Sequence, residues 1–179
     1  MVLMVLERLV ELVITRRNER WVRQQGAIEA GAGHYPWMVL LHTLFLISCP
    51  AEVWLLDRPL IPGLAITMLT LLACSFAVRY WTISALGRRW TTRVFCLPGT
   101  PVVTEGPFRW LRHPNYSAVL AETFALPMVH TAWLTAVVFT LANTLLLRVR
   151  IRVEEEALRQ YCDYDERFGL ASAAPEEKP

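Results

Sequence analysis

Apolar positions along this 179-residue chain gather into blocks of membrane-spanning length, separated by arginine-rich stretches. Residues 36–56 hold 15 apolar side chains in 21, and residues 60–78 hold 14 in 19 with no charge. At about 1.5 Å of rise per helical residue, each block can cross a hydrocarbon core about 30 Å thick. The second is read as a span over 60–81. Asp57-Arg58-Pro59 between them is too short for anything but antiparallel neighbours, so the two form a helical hairpin. A third apolar block, residues 117–147, is 31 residues long with Glu122 as its only charge, too long for one untilted span. Pro127 and the polar pair His130-Thr131 predict a break in it. The result is a second, C-terminal helical hairpin with arms at 115–129 and 132–151, the first of them short for a full crossing. The opening MVLMVLERLVELVIT has helical spacing, but Glu7, Arg8 and Glu11 would be costly against lipid. It reads as a short first span, 1–15, packed on the bundle, with an interfacial helix as the alternative. The pattern therefore predicts an all-α integral membrane protein with about five transmembrane helical segments, in a single domain over residues 1–170. The tail 171–179 (ASAAPEEKP) is expected to be disordered.

Composition agrees and adds an orientation. The chain is 54% hydrophobic and 19% charged, with a mean hydropathy of +0.33, which excludes an ordinary soluble domain. A net charge of +2 is too balanced for non-specific nucleic-acid binding. Arg16, Arg17, Arg20 and Arg23 follow the first segment, Arg88, Arg89, Arg93, Arg109 and Arg112 lie between the hairpins, and Arg148, Arg150, Arg152, Arg159 and Arg167 follow the last span. Arg58 lies in an opposite loop. By the positive-inside rule the three basic regions are cytoplasmic and the N-terminus is outside. Lys178 is the one lysine among 18 basic residues, a codon bias that points to a GC-rich bacterial genome and hence to an inner membrane. The four cysteines have no C-x-x-C spacing, so neither a disulfide framework nor a metal site is expected. No cleavable signal peptide is expected either, because charges interrupt the first apolar stretch.

Two stretches carry candidate chemistry. The loop 88–116 (RRWTTRVFCLPGTPVVTEGPFRWLRHPNY) is long for a compact bundle and holds four prolines, two glycines, five arginines and five aromatics. A loop this aromatic is expected to be ordered, around a ligand or as a docked segment. At its end, His113-Pro114-Asn115-Tyr116 opens a helix whose first amides can meet a carboxylate or phosphate. The plainer reading is a helix start with an interfacial Tyr. In RVRIRVEEEALRQY (148–161), Arg150 shares a helix face with Glu154, Arg152 with Glu156, and Glu155 with Arg159. Such a run is often only a solvated helix with weak ion pairs. Here both arms of the second hairpin end at one membrane face, so HPNY and Arg150/Glu154 can meet. Glu52 and Glu122 stand inside apolar stretches and are functional suspects by position, whereas His42 and His130 read as packing residues. Gly26, Gly31 and Gly33 make no dinucleotide fingerprint.

The ordered set ALGRRWT (85–91), VVTEGPFRWLRHPNY (102–116) and RIRVEEEAL (150–158) resembles the isoprenylcysteine carboxyl methyltransferase family of integral membrane enzymes. The likeness covers roughly the C-terminal half and is fairly specific as a pair of motifs. It implies S-adenosyl-L-methionine-dependent methylation, with the cofactor in a cytosolic pocket and a lipophilic or lipidated acceptor entering from the membrane lipids. Carried over by motif, cofactor contacts fall on Thr100, Pro101, Val102, Val103, Phe108, His113, Pro114, Asn115, Tyr116 and Glu154, and the acceptor contact on Arg150. The family more often has His or another polar group at the start of the 100–103 stretch, and Tyr where this chain has Phe108. Aromatic rings suit a sulfonium cation, Glu154 an amino group, and the HPNY backbone a carboxylate. A carboxylate acceptor needs no general base, whereas a phenol would draw on His113 or Glu155. The expected acceptors are a polyketide-type phenol or pyrone, or a prenylated or fatty carboxylate. Phospholipid N-methylation, a nicotinamide-dependent membrane reductase and a non-enzymatic membrane scaffold are the alternatives. The sequence assigns no oligomeric state.

Overall fold

A computed structural model describes residues 2–170, with side chains from Leu9 onward. The tail 171–179, and with it the expectation of disorder there, lies outside the described residues, as do the side chains of Glu7 and Arg8. Five main helices follow in order: α1 (Val2–Gln24), α2 (Tyr35–Leu55), α3 (Pro62–Leu86), α4 (Pro114–Met128) and α5 (Trp133–Tyr161), with a one-turn α6 (Tyr164–Arg167) after them. Pro36, Pro62 and Pro114 each stand in a first turn, where the missing amide costs nothing. α4 packs between α3 and α5, and α2 lies against α5.

Lipid as the outer solvent explains the side-chain distribution. Outward positions are large and apolar, among them Leu44, Ile47, Ile66, Leu69, Val138, Leu141 and Leu145. The buried set instead contains Glu11, Glu52, Arg79, Glu122, Asn143 and Arg150. Thr43, Thr67, Thr70, Ser75 and Thr82 each donate to the carbonyl four residues back, so these hydroxyls need no water. Among the described residues, three helical stretches, Ala32–Leu55, Pro62–Arg89 and Trp133–Tyr161, are long and apolar enough to cross a membrane. α4, with 15 residues, reaches only about 22 Å at 1.5 Å per residue, in keeping with the short arm expected of the second hairpin.

Two helices run beyond the expected spans. α3 runs to Leu86, not 81, and α5 continues unbroken to Tyr161, ten residues beyond the expected end of the span. The fold is mostly helical, as expected, with one addition: β1 (Ile28–Ala30) and β2 (Val94–Cys96) pair antiparallel, with Glu29 opposite Phe95. Three-residue strands are below what hydrophobic alternation can reveal. This ribbon is fixed by its neighbours: Arg23 and Arg93 both bond Glu29, and Arg23 lies over the Phe95 ring. Asn18 of α1 donates to the carbonyl of Trp90 at 2.8 Å, holding the loop from the other side. At Gly31, with φ +64, a Cβ would come 2.6 Å from Val153 of α5, so only glycine lets the ribbon's connection pass the helix.

Glu52, a functional suspect by sequence, has a structural role. Its carboxylate accepts the Leu134 and Thr135 amides at 3.2 and 2.6 Å, capping the start of α5, and pairs with Arg58 at 2.9 Å. The second hairpin is thereby tied to the first at the end opposite HPNY. Pro127 sits within the last turn of α4, and the break falls at Thr131, which has φ 52 and donates to the Pro59 carbonyl.

Candidate functional site: two cavities that share a wall

The loop expected to carry chemistry is ordered by short turns at Gly87–Arg89 and Gly106–Arg109 and by β2. With the start of α4 and the projecting end of α5 it encloses the more polar of two cavities described here. All ten residues expected to contact a cofactor line it: Thr100, Pro101, Val102, Val103, Phe108, His113, Pro114, Asn115, Tyr116 and Glu154. Arg150 lines it too, together with Arg89, Arg93 and Arg112. Of these four guanidiniums, Arg93 is paired with Glu29 and Arg112 with Glu155 from outside the lining, so Arg89 and Arg150 are the cations of the wall without a carboxylate pair among the described residues.

Tyr116 stands at the centre. Its hydroxyl donates to Glu154 and accepts from Arg150 Nε at 2.7 Å. The expected Arg150/Glu154 face is therefore joined through a phenol of α4. The Arg150 guanidinium lies 5.5 Å from the Tyr116 ring centre, and His113 stacks on the same ring. Arg150 Nη2 donates to the Thr92 carbonyl at 2.7 Å, while Nη1 meets only the weakly accepting Met38 sulfur at 3.4 Å among the bonds formed here.

Glu155 lines neither cavity described here. It sits behind His113, accepting from His113 Nε2 at 2.9 Å, from Tyr164 at 2.8 Å and from Arg159 at 3.1 Å. The segment after α5 folds back over the cavity, with Cys162, Tyr164 and Phe168 in its wall. Asp163 Oδ1 accepts the Val102 amide at 2.7 Å, and Oδ2 accepts from Arg167. These bonds, Arg167 first and Val102 second, hold the Asp163 carboxyl below its ordinary range. Burial, then the bond to Glu155, pushes the Tyr164 phenol up to about 12. Burial, then the neighbouring Cys162 and Glu154, pushes the Cys96 thiol up to about 12, so it is no nucleophile near neutrality.

A second cavity, mostly apolar in lining, lies deeper among α1, α2 and α4. Leu12, Val39, Phe45, Leu46, Val119 and Leu147 are part of its wall, and Glu11, Arg79 and Glu122 form a charged patch in it. Trp90, Thr91, Asn115, Tyr116 and Arg150 line both cavities. Sequence reasoning found three of these five. Trp90 and Thr91 close the ALGRRWT motif (85–91) but were given no role of their own. Arg79 was missed although it falls inside the expected 60–81 span, where an ionisable residue calls for a partner; Glu122, an apolar stretch away, was the visible complement.

Fold and site define a helical membrane protein whose polar cavity at a helix terminus meets an apolar cavity between helices. Residues 66–160 match the isoprenylcysteine carboxyl methyltransferase (ICMT) family, and the chain belongs to that family of membrane methyltransferases. It is 38% identical over 162 residues to the uncharacterized protein YpbQ of Bacillus subtilis, covering 89% of this chain and 94% of that protein. An uncharacterized protein of Haemophilus influenzae is 28% identical over 156 residues, 84% of this chain and 88% of the relative. A protein-S-isoprenylcysteine O-methyltransferase of Tribolium castaneum is 32% identical over 73 residues, 38% of this chain and 26% of that enzyme.

Proposed function

We propose that this protein transfers a methyl group from S-adenosyl-L-methionine to an oxygen of a lipophilic acceptor, with a carboxylate favoured over a phenol. The observation that carries the reading is the shared wall. A polar cavity and an apolar one meet at Trp90, Thr91, Asn115, Tyr116 and Arg150, so a water-soluble donor and a lipid-soluble acceptor could face each other there.

The donor set of the polar cavity fits the cofactor. When bound, it would supply an electrophilic methyl on a sulfonium. Phe108 offers a ring face to a cation, Glu154 a carboxylate to an amino group, and the first turn of α4 with the nearby guanidiniums a seat for a carboxylate. In-line transfer asks mainly for positioning. Arg150 serves that need, since its Nε and Nη2 are fixed by Tyr116 and Thr92 while Nη1 keeps donor capacity for an acceptor oxygen. The preference for a carboxylate follows from the base inventory. Glu155 is engaged three times and lies behind His113, which leaves His113 as the only one of the two base candidates on the wall, and a carboxylate needs no base. In this reading Glu155 orients His113.

The five-segment arrangement belongs to the same proposal, with α1 and the short α4 completing three full crossings in a bacterial inner membrane and the polar cavity opening to the cytoplasm. The acceptor then arrives from the surrounding lipids.

Binding of S-adenosylhomocysteine to detergent-purified protein tests the reading. Micromolar binding is expected, weakened at least tenfold in Glu154→Ala and in His113→Ala; absence of binding, or indifference to both substitutions, would sink it. Label from the methyl-labelled cofactor should enter a lipid extract in a base-labile form, as an ester does, whereas a base-stable product would move the acceptor to a phenol.

A further inference from the structure

Three charges are buried together in the wall of the apolar cavity, on three different helices. Arg79 of α3 is 1% exposed, and Glu11 of α1 and Glu122 of α4 are each 3% exposed. Glu122 takes the guanidinium as a fork, Nε to Oε1 at 3.0 Å and Nη2 to Oε2. A guanidinium inside a bundle needs such pairing, and the fork alone supplies it. The third nitrogen does something further. Arg79 Nη1 lies 3.2 Å from Glu11 Oε1 and donates to Asn115 Oδ1 at 3.3 Å.

That last bond settles the direction of an amide. Arginine has donors only, so the Asn115 atom facing it must be the carbonyl oxygen, and the Asn115 NH2 is turned away from Arg79. Asn115 lines both cavities. Resting on the methyltransferase reading, we propose that Arg79, clamped by Glu122 and Glu11, is a positioning residue that aims the Asn115 amide NH2 at the oxygen of the methyl acceptor where the two cavities meet. The acceptor oxygen is then held by a neutral donor from α4 as well as by Arg150 from α5. α1 takes part through Glu11, which makes the N-terminal helix a component of acceptor recognition and not merely an anchor.

The test is binding of defined lipophiles to the full chain in lipid nanodiscs: dodecanoate and para-dodecylphenol, with dodecane and dodecylbenzene as oxygen-free controls. In the wild type the oxygenated probes are expected to bind more tightly than their controls. Asn115→Ala should weaken the oxygenated probes about three- to tenfold, the range of one hydrogen bond, and leave the controls unchanged. Arg79→Lys keeps the charge but loses the fork and should give a similar loss. In the double variant the two losses should not add, since both remove the same bond. Additive losses, or equal losses for probes and controls, would make Arg79 purely structural and overturn the inference. Equal binding of probes and controls to the wild type would also overturn it. If Arg79→Lys fails to fold, Glu122→Gln loosens the same fork and takes its place in the cycle. S-adenosylhomocysteine affinity, measured alongside, separates this outcome from failure of the methyltransferase reading: it should stay within about twofold in Arg79→Lys if only the acceptor contact is lost, whereas a wild type that does not bind it refutes the methyltransferase.

Discussion

At the scale of single residues, the site is built from groups whose partners reach across long stretches of chain. Asp163 illustrates this, since one carboxylate links the segment after α5 to the Thr100–Val103 wall through the Val102 amide. Its acidity is increased in the folded state, so its stabilising contribution is complete above the ordinary value of 3.8 and is lost as the pH falls through the depressed folded value. Asp163→Asn should therefore lower the thermal midpoint at pH 6. The gap between variant and wild type should close below about pH 3.8, and a gap independent of pH would show that the carboxylate charge is not what holds the segment. Residue identity was legible where a motif announced it, as in His113-Pro114-Asn115-Tyr116. It was not legible at Asp163 or Tyr164, whose roles come from folding back onto the cavity.

At the scale of elements, apolar blocks predicted the helices, and Pro114 predicted the start of α4. The lengths proved longer than the blocks at both α3 and α5, because a helix continues past the apolar region wherever its polar end finds partners. α5 does so through Arg150, Glu154, Glu155 and Arg159, each bonded in the site. The other end of α5 depends on Glu52, which replaces the missing acceptors of its first turn. Removing that carboxylate in Glu52→Ala leaves the buried Thr135 amide, the part-buried Leu134 amide and Arg58 without it, at a cost of about 1–3 kcal/mol. The expected result is a lower thermal midpoint with S-adenosylhomocysteine affinity unchanged, because the cap lies at the far end of the bundle. Equal loss of cofactor binding would place Glu52 in the site after all. The β1/β2 ribbon escaped sequence reasoning because three-residue strands carry too little alternation, and salt bridges and a cation over a ring fix it instead.

At the scale of the whole molecule, arginine asymmetry predicts that the polar cavity lies on the cytoplasmic side. In a cysteine-free background, Leu60→Cys should react with a membrane-impermeant maleimide in intact spheroplasts, and Glu105→Cys only after lysis. The reverse pattern would invert the protein and place the polar cavity outside, away from cytosolic cofactor. The sequence by itself determined the membrane as solvent, the helical hairpins and part of the lining of the polar cavity, because hydrophobicity and contiguous motifs are properties of neighbouring positions, and its charge bias supplies the expected orientation. Only the tertiary structure decided that a second, apolar cavity shares the wall at Tyr116 and Arg150, that Glu52 is a cap, and that Arg79 is gripped by Glu11 and Glu122. Those relations join residues 34 to 83 positions apart, from Tyr116 with Arg150 to Glu52 with Thr135. Where a buried charge must find its counterpart, the packing of helices selects it, and no local pattern records the choice.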